Sequence, residues 1–434
     1  MRFALRAKSI LTFAGDPPAR GLSALDAPLR PLRDGVLSVN GALIEAVEAY
    51  PAFRKRRASI PVLDLGQAIL APGLINCHCH LELSHLAGKT LKGHGFVPWL
   101  KSLVALTAQR PEAESMAQAL SVAVAQLLNG HTVHVGDVGS RVPFAVAQAL
   151  TRDSSLHEQK ETPETARPFP PLLPQDSPRE RPGLIHSCLT ATHFLEAFGF
   201  SGPSPGLPAS LAAGGYAPPA VCTLPEHLHS SCALSAHSLY STHPAALKAT
   251  RQWCRENNRP FSVHLAECPE ETIFLREGRG QLYDFFRERI LPADWQRPGL
   301  APTAFAERLG LLGPDTLAVH CVQCEKEDIS TLQRNGTNCC LCPRSNAFIG
   351  AGRAPAGEMA KAGLLLCLGT DGLSSNLDLD MGNEMRAARK DWGFSPQAVL
   401  RMATLNGAHA LGLSRTLGSL EPGKRAAVSL IPEC

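Results

Sequence analysis

No apolar run in this chain approaches the roughly 18 residues needed to cross a bilayer, so a membrane-spanning helix is not expected. A charge excess is also missing: 42 Lys and Arg face 39 Asp and Glu, a net +3. General nucleic-acid binding, which draws on a clustered basic surplus, finds no support in that balance. The single basic run, Arg54-Lys55-Arg56-Arg57, reads as a solvated loop. At the N-terminus, Arg2, Arg6 and Lys8 surround only a short apolar segment from Ile10 to Phe13. It lacks the apolar stretch and cleavage site of an export signal. A cytoplasmic protein is expected. Apolar material is plentiful: 44% of the 434 residues against 19% charged, enough for a sizeable core.

In a reducing compartment the 14 cysteines need another explanation than disulfides. Close neighbours such as Cys77/Cys79 and Cys339/Cys340/Cys342 suit free thiols or metal ligands. Cys321-x2-Cys324 followed by Cys339 and Cys342 is similar in spacing to a structural zinc site, but the first pair reads first as a buried strand end.

Both ends of the chain read as β. Val36–Val39, Gly41–Ile44 and Val62–Leu65 are short apolar runs between turn signals, and Ala427–Ile431 repeats the idiom near the C-terminus. Residues 1–70 and 412–434 are expected to form one small composite β domain, sandwich-like, outside the main body. Between them, helix-like stretches such as Met116–Leu128 alternate with strand-like runs: Thr132–Gly136, Cys232–Ser235, Phe261–Leu265, Leu317–His320 and Leu364–Gly369. That alternation predicts an α/β fold, a (β/α)8 TIM-type barrel over residues 71–411. The Pro-rich stretch near 151–183 and the Gly/Pro-rich patch Ser201–Pro225 are expected to be surface insertions.

The chemistry gathers at strand ends. Ile75-Asn76-Cys77-His78-Cys79-His80 closes on two histidines spaced i, i+2, which an extended strand aims to one side. Alone, such a pair could be one core and one surface histidine. Yet Phe261–Val263 closes on His264, Leu317–Val319 on His320, and Leu364–Thr370 on Asp371. Barrel enzymes build their sites at these ends. Three imidazoles and a carboxylate fit one divalent ion, Zn2+ ahead of Fe2+, with a position left for water.

In this order, His78-x-His80, His264, His320 and Asp371 resemble the amidohydrolase superfamily, as do the Pro72-Gly73-Leu74-Ile75 lead-in, Thr370-Asp371-Gly372 and Gly418-x-Leu420-x-Pro422-Gly423-Lys424. The resemblance implies that His78, His80, His264 and Asp371 bind the metal and that His320 stands in the site. His264-Leu265-Ala266-Glu267 looks like the HxxE of the deaminases, which implies Glu267 as proton shuttle. Ser235-Ala236-His237-Ser238 has no lysine where two-metal members carry one, so a single metal is implied.

The narrowest likeness is to the aminodeoxyfutalosine deaminases of the alternative menaquinone pathway. It is carried by His78–Leu86, Gly95–Leu100 and Cys342-Pro343-Arg344-Ser345-Asn346. That implies hydrolysis of 6-amino-6-deoxyfutalosine to futalosine and ammonia by water activated on the metal. Glu267, His320 and Asp371 would be catalytic, and Trp99, His237 and Arg344 would contact the substrate. Each of these three has a plainer alternative: Trp99 packing a helix, His237 as a core histidine, Arg344 on the surface. The expected partner is a small nucleoside-like molecule, with no nucleic acid and no membrane, and with homo-oligomer formation left open. Other readings are a deaminase or dechlorinase for another nitrogen heterocycle (adenosine-type, guanine, cytosine or triazine), and a catalytically silent barrel scaffold.

Overall fold

The computed structural model describes residues 2–109, 112–139, 189–200 and 231–431. The 151–183 insertion and the 201–225 patch lie outside the described residues.

Two sheets organise the chain. The smaller is built from β1 (Arg2–Ile10), β2 (Leu32–Asn40), β3 (Leu43–Ala49), β4 (Val62–Asp64), β5 (Ile69–Pro72) and β14 (Val428–Ile431). Its order is β14-β5-β1-β2-β3, with β4 also pairing to β1, so the two chain ends meet in it. Val428 pairs with Pro72 and Ile431 with Ile69, antiparallel. Its alternating apolar face buries Leu5, Ala7, Leu37, Val39 and Leu70 in one cluster. Arg54–Arg56, expected in a loop, form the last turn of the helix Tyr50–Arg56. Arg56 pairs with Glu48, and Arg57 pairs with Glu45 and Glu48 of β3. Those acidic partners across the sheet edge favour the basic run as an ordered helix end.

The second sheet holds β6 (Leu74–Cys79), β7 (Thr132–Gly139), β8 (Thr190–Ala197), β9 (Ser231–Ser238), β10 (Phe261–Leu265), β11 (Thr316–His320), β12 (Asn338–Leu341) and β13 (Leu365–Leu368). All neighbours are parallel and follow chain order. The ring is stitched together where first and last strands meet. Asp371 N–H donates to His78 O at 3.0 Å, Asn76 Nδ2 to Thr370 Oγ1 at 2.7 Å, and Thr370 N–H to Asn76 Oδ1 at 3.1 Å. This is the expected (β/α)8 barrel with a small second β unit.

Alternation along the strands divides the core in two. Leu366 and Leu368 join an outer layer with Phe274, Phe305 and Ile329 of the surrounding helices. Leu365 and Cys367 join Val133, Phe194, Leu317 and Val319 in an inner cluster. The helix expected over 116–128 spans Ala113–Asn129 and turns Leu120, Ala123, Val124 and Leu127 inward, an i, i+3, i+4, i+7 stripe. Its neighbour Gly136 on β7 faces β6 so closely that a Cβ there would lie 2.4 Å from the Cys77 carbonyl oxygen. A backbone oxygen cannot swing aside as a side chain can. Gly136→Ala should therefore destabilise the fold by at least about 1–3 kcal/mol, the usual cost of overpacking. Urea denaturation checks this, and an unchanged midpoint would show that β7 can shift freely.

Candidate metal centre

The strand ends converge as the sequence pattern suggests. His78 leaves β6 fully buried, with neither ring nitrogen hydrogen-bonded among the described residues. Its ring lies 4.8 Å from those of His80 and His264 and 5.8 Å from that of His320, centre to centre. His78 Nε2 is 3.5 Å from Asp371 Oδ1, and His80 Nε2 is 3.6 Å from the same oxygen. His80 Nε2 and His264 Nε2 stand 3.2 Å apart. Two lone pairs at that separation repel unless something electropositive lies between them. A buried histidine without partners is likewise costly. Both observations fit a cation bound at this point.

The outer nitrogens show how the rings are oriented. His80 Nδ1 meets Val138 O at 3.1 Å, and His264 Nδ1 meets His237 O at 2.7 Å. A carbonyl oxygen only accepts, so both Nδ1 atoms carry the hydrogen and both Nε2 atoms present a lone pair. His320 Nδ1 donates to Asn346 Oδ1 at 2.9 Å, which gives its Nε2 the same character. Asp371 is held in the same manner: Ser345 and Ser375 hydroxyls both donate to Oδ2 at 2.7 Å, leaving Oδ1 toward the histidines. Such outer partners fix ligand orientation and basicity.

Electrostatics keep the cluster neutral on the imidazole side. Burial lowers His78 to about 4, with the neighbouring histidines opposing a second charge. Burial and the same neighbours push His264 well below its ordinary value. His80 is the exception: burial works against its charge, but Asp371, Glu196 and Glu82 outweigh it and raise the pKa. Burial would raise Asp371, yet the His78 contact and the His80 and His320 fields hold it well below the usual carboxylate range. The neutral imidazoles of His78 and His264 and the ionised Asp371 carboxylate are the donor forms that a divalent ion requires.

Backbone strain marks the same segments. His320, Cys321, Ala266 and Asp371 all have positive φ, at 71°, 51°, 51° and 57°. Non-glycine residues pay of order 1–2 kcal/mol for this conformation. Here it turns the chain sharply at the strand ends that carry His264, Glu267, His320 and Asp371.

Residues 227–432 match the amidohydrolase family. A 5-methylthioadenosine/S-adenosylhomocysteine deaminase of Nitratidesulfovibrio vulgaris is 27% identical over 400 residues, 90% of this chain and 77% of that one. A deaminase of the same name from Desulforudis audaxviator is 35% identical over 208 residues, 46% of this chain and 44% of its own. The match to the amidohydrolase family thus spans just under half of the chain. The chain's fold is that of Helicobacter pylori aminofutalosine deaminase solved with methylthio-coformycin, at TM-score 0.75 and 20% identity over 99% of this chain and 91% of that one. It is also that of a zinc-bound adenosine deaminase from Xanthomonas campestris, at TM-score 0.73 and 22% identity over 99% of this chain and 84% of that one.

Around the four candidate ligands, the other expected residues divide. Glu267 is buried, with a carboxylate oxygen 3.6 Å from His320 Nε2. Burial, then the Asp371 and Glu271 charges, raise its pKa well above the ordinary value. His237 stands beside His264, ring centres 4.9 Å apart, with its Nδ1 bound by the Ser238 and Ser241 hydroxyls. Trp99 packs against Phe96 and donates its indole N–H to Ser374 O at 2.9 Å, tying its helix to the loop after Asp371. Arg344 is already engaged: Asp378 takes both terminal nitrogens at 2.6 and 2.7 Å, and Glu384 lies 3.5 Å away.

Three contributors escaped the sequence reading. Ser345 and Asn346 sit in the Cys342–Asn346 segment, where only Arg344 drew attention, yet it is they that hold Asp371 and His320. Glu196 is the penultimate residue of β8, a strand not recognised in the sequence. The run Thr190-Ala191-Thr192-His193-Phe194-Leu195 closing on a carboxylate is the signal that was there. The four zinc-spaced cysteines do not converge. Cys321 interacts with Cys324 and Cys339, whereas Cys342 belongs with Cys340 and Cys367. None of them enters a metal-competent group among the described residues.

A second ion is disfavoured by lone-pair counting. Glu196, His237 and His264 do offer ligand atoms within 4.8 Å of one another. However, His264 has one free lone pair, because its Nδ1 is a donor, and a first ion would use it. Only two ligands would remain.

Two outcomes follow from this geometry. His78→Ala or Asp371→Ala should abolish metal binding, read by elemental analysis, and Ser345→Ala combined with Ser375→Ala should weaken it by about 10–100-fold. Glu271 gives a pH signature. Its carboxylate accepts the Glu267 N–H at 2.9 Å, and burial raises it to about 7. A carboxyl group whose folded pKa exceeds its unfolded value costs stability as pH rises from about 4.5 through 7. Glu271→Gln removes that cost, so its stability relative to wild type should improve between pH 4.5 and 8 by up to about 3 kcal/mol. Urea titrations at the two pH values read the difference.

Proposed function

We propose that this chain is a hydrolytic deaminase that exchanges the 6-amino group of an adenine nucleoside for oxygen, with one zinc ion held by His78, His80, His264 and Asp371. The observation that carries the reading is the pairing of a buried Glu267 with His320 immediately beside those four residues. A donor set alone suits any metal hydrolase. A carboxyl group that readily holds a proton suits a reaction that must protonate a ring nitrogen. The similarity to methylthioadenosine deaminases over nearly the whole chain supports the same class.

A divalent ion bound there supplies a Lewis acid that makes water nucleophilic near neutral pH. The residues of the chain handle the protons. Glu267 takes one from the attacking water and delivers it to the ring nitrogen beside C6, so that the ring can accept electrons as the new C–O bond forms. His320, kept with Nε2 free by Asn346, orients the water and with Asp371 passes the second proton to the amino group. The C6–N bond then breaks and ammonia leaves. Exclusion of water by the buried walls strengthens each of these interactions.

Within this class, 6-amino-6-deoxyfutalosine is the narrower reading, in menaquinone biosynthesis, supported by the segments 78–86, 95–100 and 342–346. Its distant carboxylate would meet an Arg344 already neutralised by Asp378, so it must displace that pair or find another cation. An adenosine with an uncharged 5′ substituent makes no such demand. The free, buried thiols of the described cysteines suit the cytoplasm.

Glu267→Gln should keep its metal while losing about 10²–10⁴-fold in turnover, the typical worth of general acid–base catalysis. Ammonia release and loss of adenine absorbance across adenosine, methylthioadenosine and aminodeoxyfutalosine read both the activity and the substrate. Near-normal turnover by the variant would mean that another group moves the proton.

A further inference from the structure

Glu196 has no task in the chemistry described above, yet it sits at the same mouth. It is the penultimate residue of β8, beside β9. A carboxylate oxygen of Glu196 lies within 4.8 Å of a ring nitrogen of His237 and of one of His264. Oε1 is buried and has no hydrogen-bond partner among the described residues. No Lys or Arg pairs with it there. Among the charged groups that act on it, His80 attracts, and Glu82 and Asp371 repel. A carboxylate in such surroundings is costly unless a ligand supplies donors.

The surroundings limit what that ligand offers. A second ion is short of ligands, as the single lone pair of His264 shows. His237 presents Nε2, since its Nδ1 faces Ser238 and Ser241. Phe198, two residues beyond Glu196, is exposed and stands edge-on to the His237 ring at 5.4 Å. The site thus combines a two-oxygen acceptor, one imidazole nitrogen and an apolar ring. Adjacent hydroxyl groups on a five-membered ring match it: two donors spaced for one carboxylate, with the ring's hydrocarbon face toward the aromatic.

We propose that Glu196 is a specificity-determining residue that accepts hydrogen bonds from the vicinal hydroxyls of the substrate's ribose, with Phe198 flanking the sugar. The inference rests on the nucleoside reading and assigns its sugar subsite. It places the ribose under β8 and β9, and the base toward Glu267 and His320 under β10 and β11.

The test compares adenosine with 2′,3′-dideoxyadenosine on the metal-loaded protein, and measures binding of inosine and 2′,3′-dideoxyinosine by calorimetry. Wild type should prefer the ribo form in both assays. Glu196→Ala should cut kcat/KM for adenosine by about 10–100-fold, mainly through KM, the usual range for a hydrogen bond to a charged group. It should leave the dideoxy substrate nearly unchanged and the metal content intact. Glu196→Gln, which keeps one acceptor oxygen, should fall between. An equal loss on both substrates, loss of a bound metal equivalent, or a wild type indifferent to the hydroxyls would each overturn the assignment. Absence of deamination with a retained ribo preference in binding would instead overturn the deaminase reading and leave the sugar subsite standing.

Discussion

The mouth of the barrel depends on one arrangement: imidazoles buried with their lone pairs facing inward. His80, His264 and His320 each donate Nδ1–H to an oxygen, from Val138, His237 and Asn346, so every Nε2 must point its electrons at the others. No apolar packing would hold such a group together. The arrangement is favourable only around a positive centre, and Asp371, ionised and held on its far oxygen by two serines, supplies the charge balance. Burial, strain and pKa at neighbouring positions follow from keeping these groups in place.

The barrel seam shows how closely fold and site are joined. The ring closes through the Asp371 N–H to His78 O bond, between two candidate ligands, with Asn76 and Thr370 locking the strands one step below. A shift of register at that seam would move both ligands together. The positive φ values of Ala266, His320 and Asp371 store local strain that parallel strands on either side can sustain. Rigid strands thus set positions that flexible loops could not hold as well.

A second layer of acids surrounds the first. Glu267 and Glu271 are neighbours, and both are pushed toward the protonated form by burial. Glu384, raised to about 8, sits between Asn376 and Arg344. Arg344 therefore belongs to a network beneath the site, where Asp378 balances its charge and Glu384 lies 3.5 Å away. The neighbouring Ser345 and Asn346 reach the ligands directly. One short segment thus serves the centre through the residues on either side of its first turn.

Much of this was legible in the sequence, because period and chemistry coincide there. Apolar runs closing on His80, His264, His320 and Asp371 announce strands whose ends converge only in a closed parallel barrel, and the β idiom at both termini announces the second sheet. Side-chain parity and strand length are local properties, so the chain itself determined them. The tertiary structure decided the rest: which nitrogen of each histidine is free, that Asp378 occupies Arg344, that the zinc-spaced cysteines diverge, and that Glu196 Oε1 has no hydrogen-bond partner among the described residues. Each of these depends on groups brought together from distant positions, such as Asn346 beside His320 or Asp378 beside Arg344. Hydrogen-bond partners, burial and charge are set by neighbours in space, which spacing along the chain does not encode.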